Sequence, residues 1–236
     1  MSVDNYWKDL DLNLFKLRED GYVKLPSIKN YDLEKLAKDI SSEMNQNTFS
    51  KCCKSHNSFL SALSINKYLT PKLYQFAKQY FNYKGDISDQ YHVARRVEPG
   101  NSVEMYRAHF DSHLFTIVFP IKIPKAGSSS GSAGELIYYP NARKSPSNEF
   151  TNILSKIYHK KYSSKKGLES FSENHNQMID NFYDYRPLLF LGNVTLHTNK
   201  PVDPCCDSYR LTLLAHFFDP SPKYGIGNFL RVIRNR

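Results

Sequence analysis

His109, Asp111 and His113 fall within five residues, just ahead of the apolar run "LFTIVFPI" at 114–121. Extended backbone sends alternate side chains to opposite faces, so His109 and Asp111 share a face and His113 can join them. Two imidazoles and a carboxylate are a donor set for a divalent metal. The plain alternative is a polar cap on the end of a buried strand. The choice between them depends on whether the rest of the chain supplies a further ligand.

A distant ligand is available in "PLLFLGNVTLHTNKPV", where a buried strand turns through Gly192–Asn193 and returns carrying His197. Two histidines and one carboxylate on one face of the ion, with the other positions open, is the arrangement of a non-haem Fe(II) oxygenase. Thirteen residues after His197 comes Arg210, in "YRLTLLAHFF", with Thr212 on the same strand face. An arginine projecting among apolar strands is costly unless it meets an anion. The dicarboxylate 2-oxoglutarate is such an anion. The arginine fork would bind its distal carboxylate in a bidentate manner, and Thr212 would donate one more hydrogen bond.

The elements that must position these residues change character along the chain. Residues 6–20 read as a helix with Leu10, Leu14 and Leu17 at helical spacing, followed by a turn and short strand in "DGYVKLPSI". "YDLEKLAKDISSEMNQ" is an amphipathic helix with Leu33, Leu36, Ala37 and Ile40 on one face. Residues 56–82 read as one or two helices broken at Thr70–Pro71, an N-cap followed by a proline at the first helical position. From residue 90 the period becomes two. "QYHVARRVEP", "SVEMYRAHFD", "LFTIVFPIKIP", "GELIYYP", "RPLLFLGNVTLHTNKP" and "SYRLTLLAHFFD" read as strands. "KAGSSSGSAG" is a hairpin loop. Residues 144–185 are a polar insertion with helical potential at 147–160 and 174–183. The expected fold class is α+β, a jelly-roll or β-barrel buttressed by N-terminal helices. One domain spans 1–236: a helical part over 1–88, a β core over 89–220 and a basic tail over 221–236.

The order H-x-D, distal His, then Arg-x-Thr resembles the Fe(II)/2-oxoglutarate-dependent oxygenases. "LREDGYVKLPSI" and "GELIYYPNAR" are similar to phrases of the phytanoyl-CoA dioxygenase-like branch. The resemblance covers 12–30 and 90–220 in outline. It implies a double-stranded β-helix (a cupin-like barrel), Fe(II) held by His109, Asp111 and His197, and 2-oxoglutarate reaching from the metal to Arg210. It also implies that O2 and 2-oxoglutarate yield succinate and CO2 as a substrate is oxidised. Related halogenases carry Gly or Ala in place of the carboxylate to admit halide, so Asp111 points to hydroxylation or a related oxidation. The turn Pro140-Asn141-Ala142-Arg143 departs from the Pro-Gly-Ser-His-like turn of that branch, so the resemblance carries the metal site and not the substrate.

Further polar residues lie near these strands. Tyr91 and Arg95 share a face of the preceding strand and are candidate cosubstrate contacts. Arg107, two residues before His109, is a candidate contact to substrate or cosubstrate, or else one half of a structural ion pair. His113 is either a competitor of Asp111 or His109 for the metal or, at the rim, a group beside the ligands or the substrate, and His216 reads as a satisfied core histidine. Tyr138 and Tyr139 put one ring on each face of their strand, with Tyr139 assigned to the pocket.

Composition bounds the remaining possibilities. With 236 residues, 40% hydrophobic and 14% aromatic, the chain can bury one real core. No apolar run is long enough to span a membrane, and the N-terminus lacks a signal pattern, so a cytoplasmic protein is expected. Cys52–Cys53 and Cys205–Cys206 are adjacent pairs expected to stay reduced, and His56 with the first pair makes only half a zinc site. The net charge of +9 favours acidic partners, but much of the excess lies in "KIYHKKYSSKK" and "FLRVIRNR", which read as solvated surface. A small-molecule or lipid-like substrate, with an acidic group allowed, therefore ranks above nucleic acid. Three readings remain: a 2-oxoglutarate-dependent hydroxylase, a cupin-like metal-binding protein without oxygenase activity, and an oxidative nucleic-acid demethylase on the same scaffold. Arg210 separates the first two, since a plain metal binder needs no buried anion receptor. The third needs a basic groove with aromatic stacking beside the iron.

Overall fold

A computed structural model describes residues 3–45, 47–51, 53–101, 105–127, 131–146 and 149–220. The basic tail, Cys52 and the centre of the Ser/Gly loop fall outside these residues. Among the described residues, five helices come first: α1 (Val3–Tyr6), α2 (Leu10–Asp20), α3 (Leu33–Met44), α4 (Lys54–Ala62) and α5 (Ile65–Phe81). Helix α2 stops at Gly21, whose left-handed φ of 80° lets its N–H return to Leu17 O. Helix α3 starts where the Asp32 carboxylate accepts the Lys35 N–H.

The break expected at Thr70–Pro71 falls instead at Leu63–Ser64, where Ser64 takes a φ of 52°. Pro71 lies inside α5 and Thr70 is not a cap; its hydroxyl donates to Asn66 Oδ1 at 3.2 Å. The proline costs the helix one backbone hydrogen bond. Burial of Leu69, Leu73, Phe76 and Ala77 on both sides of it outweighs that loss.

Among the described residues, nine strands make two antiparallel sheets. The larger has the order β1 (Tyr22–Lys24), β7 (Leu188–Leu191), β4 (Phe115–Lys122), β9 (Arg210–Phe217), β3 (Gln90–Val97), β2 (Phe49–Lys51). The smaller has the order β6 (Met178–Asp180), β5 (Leu136–Tyr139), β8 (Leu196–Asn199). Register sorts the large sheet's side chains. Phe115, Ile117 and Phe119 of β4 stand opposite Phe217, Ala215 and Leu213 of β9, and this face packs on the helices. The other face carries Arg210, Thr212, Leu214 and His216, opposite Val97, Arg95, Val93 and Tyr91 of β3. It looks toward the small sheet, and Val118, Leu188 and Phe190 meet Leu136 and Tyr138 between the two.

Two helices follow β5, α6 (Glu149–His159) and α7 (Lys165–Ser172), joined by a short 3-10 turn at Lys160–Tyr162. The helix expected over 174–183 is corrected to strand β6, which pairs with β5. The reason is tertiary: Asp180 is buried there against Lys24 Nζ at 2.5 Å, and its other oxygen accepts the Phe182 N–H. The strand expected over "SVEMYRAHFD" is also corrected. Met105 and Tyr106 form a turn, and among the described residues of that stretch only His109 makes a β-bridge.

Candidate metal centre

His109 and His197 are brought side by side by a two-way backbone bridge. Each N–H donates to the other's carbonyl at 3.1 Å, and the ring centroids lie 4.4 Å apart. Two residues on, the Asp111 N–H donates to Gly192 O at 3.0 Å. Gly192 has to be a glycine here, because a Cβ would lie 2.7 Å from Thr116 Oγ1 and 3.1 Å from Asp111 Cβ. The β7–β8 turn thus presses directly under the carboxylate.

The three side chains are prepared for an ion. The Nδ1 atoms of His109 and His197 are held by the carbonyls of Arg107 and Thr195, at 2.8 and 3.2 Å. Donating Nδ1–H to a carbonyl leaves the Nε2 lone pair free for a metal. Both Nε2 atoms stand 3.7 Å from Asp111 Oδ1, and the three donor atoms lie within 4.8 Å of one another. Small rotamer adjustments would bring them to the ligand distances of about 2.0–2.2 Å typical of nitrogen and carboxylate donors. Asp111 and His197 are enclosed, whereas 51% of the His109 side chain is open, so the centre is reached from the His109 side.

Electrostatics agree with coordination. Burial alone would raise the pKa of Asp111, but the imidazoles of His197, His216 and His109 and a hydrogen bond from Thr116 outweigh it and hold the carboxyl well below its usual range. The surrounding protein and the His197 ring pull His109 down to about 4, so it offers a lone pair at neutral pH.

Asp111 Oδ2 is fixed by a second layer. The Thr116 hydroxyl donates to it at 2.5 Å, and Thr116 Oγ1 lies 3.0 Å from His216 Nδ1. Since the hydroxyl proton goes to the carboxylate, His216 must donate its Nδ1–H to Thr116. Burial pushes His216 down to about 3, which keeps it the neutral donor this chain of bonds requires. One carboxylate oxygen is thereby taken by the protein, and the other faces the two Nε2 atoms.

Arg210 is 3% exposed and its pKa falls to about 9, chiefly through burial and then through Arg95 nearby. Among the described residues it meets no carboxylate at ion-pair distance; its Nη1 donates to Asn199 Oδ1 at 2.8 Å. Asn199 follows His197 by two residues on the same face of β8, about 7 Å along the strand. Arg95 and Asn199 line one pocket with Arg210, and Thr212 is opposite Arg95 in the register. Gly134, at φ 79°, lies against the Arg210 stem, where a Cβ would come within 2.9 Å of Cδ.

The other sequence candidates separate. Tyr91 and Arg95 share a face but lie about 13 Å apart along β3. Tyr91 is at the metal end, its ring stacked with His113 and His216 at 5.9 and 5.7 Å. His113 is outside the donor cluster and belongs to this aromatic stack. Arg107 contributes its carbonyl to His109 while its side chain is exposed. Tyr139 is not brought to the centre. Its ring packs on Phe171 of α7 on the far face of the small sheet, and its hydroxyl bonds with Leu168 O and Ser172 Oγ. Tyr138 is the one of the pair that faces the large sheet. Thr116, His216 and Asn199 were not legible as site residues. Thr116 and His216 both sit at even spacing within apolar runs, which was the only signal available.

No family model matches the chain, and no curated protein matches it in sequence. Solved structures do match its fold. The non-haem α-ketoglutarate-dependent carbocyclase SnoK from nogalamycin biosynthesis superposes with a TM-score of 0.57 at 11% identity, over 98% of this chain and 92% of that one. A prolyl 4-hydroxylase from Phytophthora capsici gives 0.55 at 12% identity, over 99% and 73%. A Pseudomonas putida prolyl-4-hydroxylase gives 0.53 at 13%, over 89% and 94%. The chain therefore shares with these structures a mixed helix and antiparallel-sheet fold.

Proposed function

We propose that the chain is a non-haem Fe(II)- and 2-oxoglutarate-dependent dioxygenase that hydroxylates a small-molecule or lipid-like substrate, releasing succinate and CO2. One observation carries the reading: a buried arginine that meets no carboxylate at ion-pair distance among the described residues stands between the same two sheets as a His–Asp–His donor set. In this reading the two sheets are the halves of a double-stranded β-helix. His109, Asp111 and His197 would hold the iron, which supplies the oxygen chemistry when bound. Arg210 takes the distal carboxylate of 2-oxoglutarate, with Thr212 and Arg95 beside it. Asn199 aligns the guanidinium relative to His197. Thr116 and His216 keep Asp111 in one orientation. Tyr91 and His113 form the aromatic wall at the metal end. The phrases "LREDGYVKLPSI" and "GELIYYPNAR" support placing it in the phytanoyl-CoA dioxygenase-like branch.

The test is anaerobic addition of Fe(II) and 2-oxoglutarate, which should produce a weak visible charge-transfer band, followed by succinate release on admitting O2. Iron binding without the band and without succinate would overturn the oxygenase reading in favour of a cupin-like metal binder.

A further inference from the structure

Helix α6 is amphipathic with the wrong side out. Its polar side chains face the protein: Asn152 Oδ1 accepts from Arg143 Nη2 at 2.9 Å, Lys156 Nζ donates to Ser112 Oγ at 3.2 Å, and the His159 ring sits edge-on to Phe110 at 4.9 Å. Its apolar side chains face solvent. Phe150, Leu154, Ile157 and Tyr158 are 68%, 48%, 64% and 58% exposed, at the i, i+4, i+7, i+8 spacing of one helical stripe. A contiguous apolar ridge left in water marks a contact surface.

The flanking charges say what covers it. Lys160, Lys161, Lys165 and Lys166 are exposed directly after the ridge, and among the described residues none of them is in an ion pair. Between 143 and 173 the chain carries seven Lys and Arg against three Glu. A second copy of this face would set lysines against lysines, so the occupant is acidic. An apolar stripe of Phe, Leu, Ile and Tyr followed by a run of exposed lysines, with Lys161 Nζ over the Tyr158 ring at 3.8 Å, is the composition of a helix lying in a bilayer interface, and anionic headgroups are the complement to the lysines.

We propose that α6 docks the protein on an anionic lipid bilayer, with Phe150, Leu154, Ile157 and Tyr158 at the headgroup–acyl boundary and the four lysines on acidic headgroups. The contacts of Lys156 with Ser112 and of His159 with Phe110 seat the helix on the segment that carries His109 and Asp111. Docking therefore brings the segment that carries the donor set close to the membrane. The inference is independent of the reaction proposed above.

The experiment is flotation of the full chain with vesicles of phosphatidylcholine alone and of phosphatidylcholine mixed with phosphatidylserine. Wild type should float with the mixed vesicles, less so at high salt, and not with the neutral ones. F150S/I157S should lose more than about tenfold in apparent affinity. K160Q/K161Q should lose about thirtyfold, at roughly fivefold per lysine. Circular dichroism spectra and thermal melts of both variants, unchanged from wild type, show that they remain folded. Absence of flotation with serine-containing vesicles overturns the proposal. So does flotation that F150S/I157S leaves untouched, which would place the binding elsewhere, for example in the basic tail. Two further outcomes also overturn it: a dimer in sedimentation velocity that F150S/I157S dissociates, or binding to an acidic polyglutamate peptide in a chain that ignores vesicles.

Discussion

The two faces of strand β9 divide the labour of the molecule. Leu211, Leu213, Ala215 and Phe217 point to the helices and are fully buried among apolar side chains. Arg210, Thr212 and His216 alternate with them on the other face, where Leu214 is the one apolar residue. The same eight residues thus hold the core on one side and the charged, hydrogen-bonding groups on the other. Burial stabilises the first face without regard to direction, so its members are exchangeable by volume. The second face depends on direction. Arg210 needs Asn199, and His216 needs Thr116 and through it Asp111. Damage to the first face should appear as lost stability, and damage to the second as lost ligand binding in a protein that still folds.

The largest effect on the directional face is expected at Asp111. Asp111→Gly removes the shared carboxylate, and calorimetry should find no Fe(II) or Mn(II) binding while circular dichroism stays native; retained metal would dismantle the proposed donor set. On the apolar face, Phe217→Ala should cost about 3–5 kcal/mol of unfolding free energy in a denaturant titration. The metal affinity of the fraction that folds should be unchanged, and a matching loss of affinity would blur the division between faces. Arg210→Ala should weaken 2-oxoglutarate binding by about 2–5 kcal/mol, as expected when one partner of a buried charge pair is removed. Titration of the visible band at fixed iron reads this directly, and an unmoved midpoint would remove Arg210 from the anion site.

Thr116→Val keeps the shape of the side chain and breaks the bond to Asp111 Oδ2. Metal affinity should fall about 10–100-fold, the usual consequence of losing a partner that orients a ligand. Thr116→Ser should restore it; a full effect from Ser as well would mean that packing, and not the hydroxyl, is what matters. The smallest effect is expected at Tyr139, on the far side of the small sheet. Tyr139→Phe should lower stability by about 1 kcal/mol through its hydroxyl bonds and leave succinate release unaltered. A selective loss of turnover would return Tyr139 to the pocket.

What the residues disclosed by themselves was alternation and chemical type. Strands β3, β4, β5, β7, β8 and β9 follow from a period of two, and helices α2 and α3 from apolar residues at helical spacing, because these patterns report burial through local geometry. His109, Asp111, His197 and Arg210 were legible because charged and metal-binding groups are costly inside apolar strands and so must be matched there. The helix break at Ser64, strand β6 in place of a helix, and the assignment of Tyr138 and not Tyr139 to the inner face were settled only by tertiary packing. In each case several local conformations were close in energy, and contacts from distant segments chose among them: the core under α5, Lys24 on Asp180, and α7 against Tyr139. The Thr116–His216 support of Asp111 belongs with these. Its members are 100 residues apart, and no spacing in one strand can announce a hydrogen bond made by another.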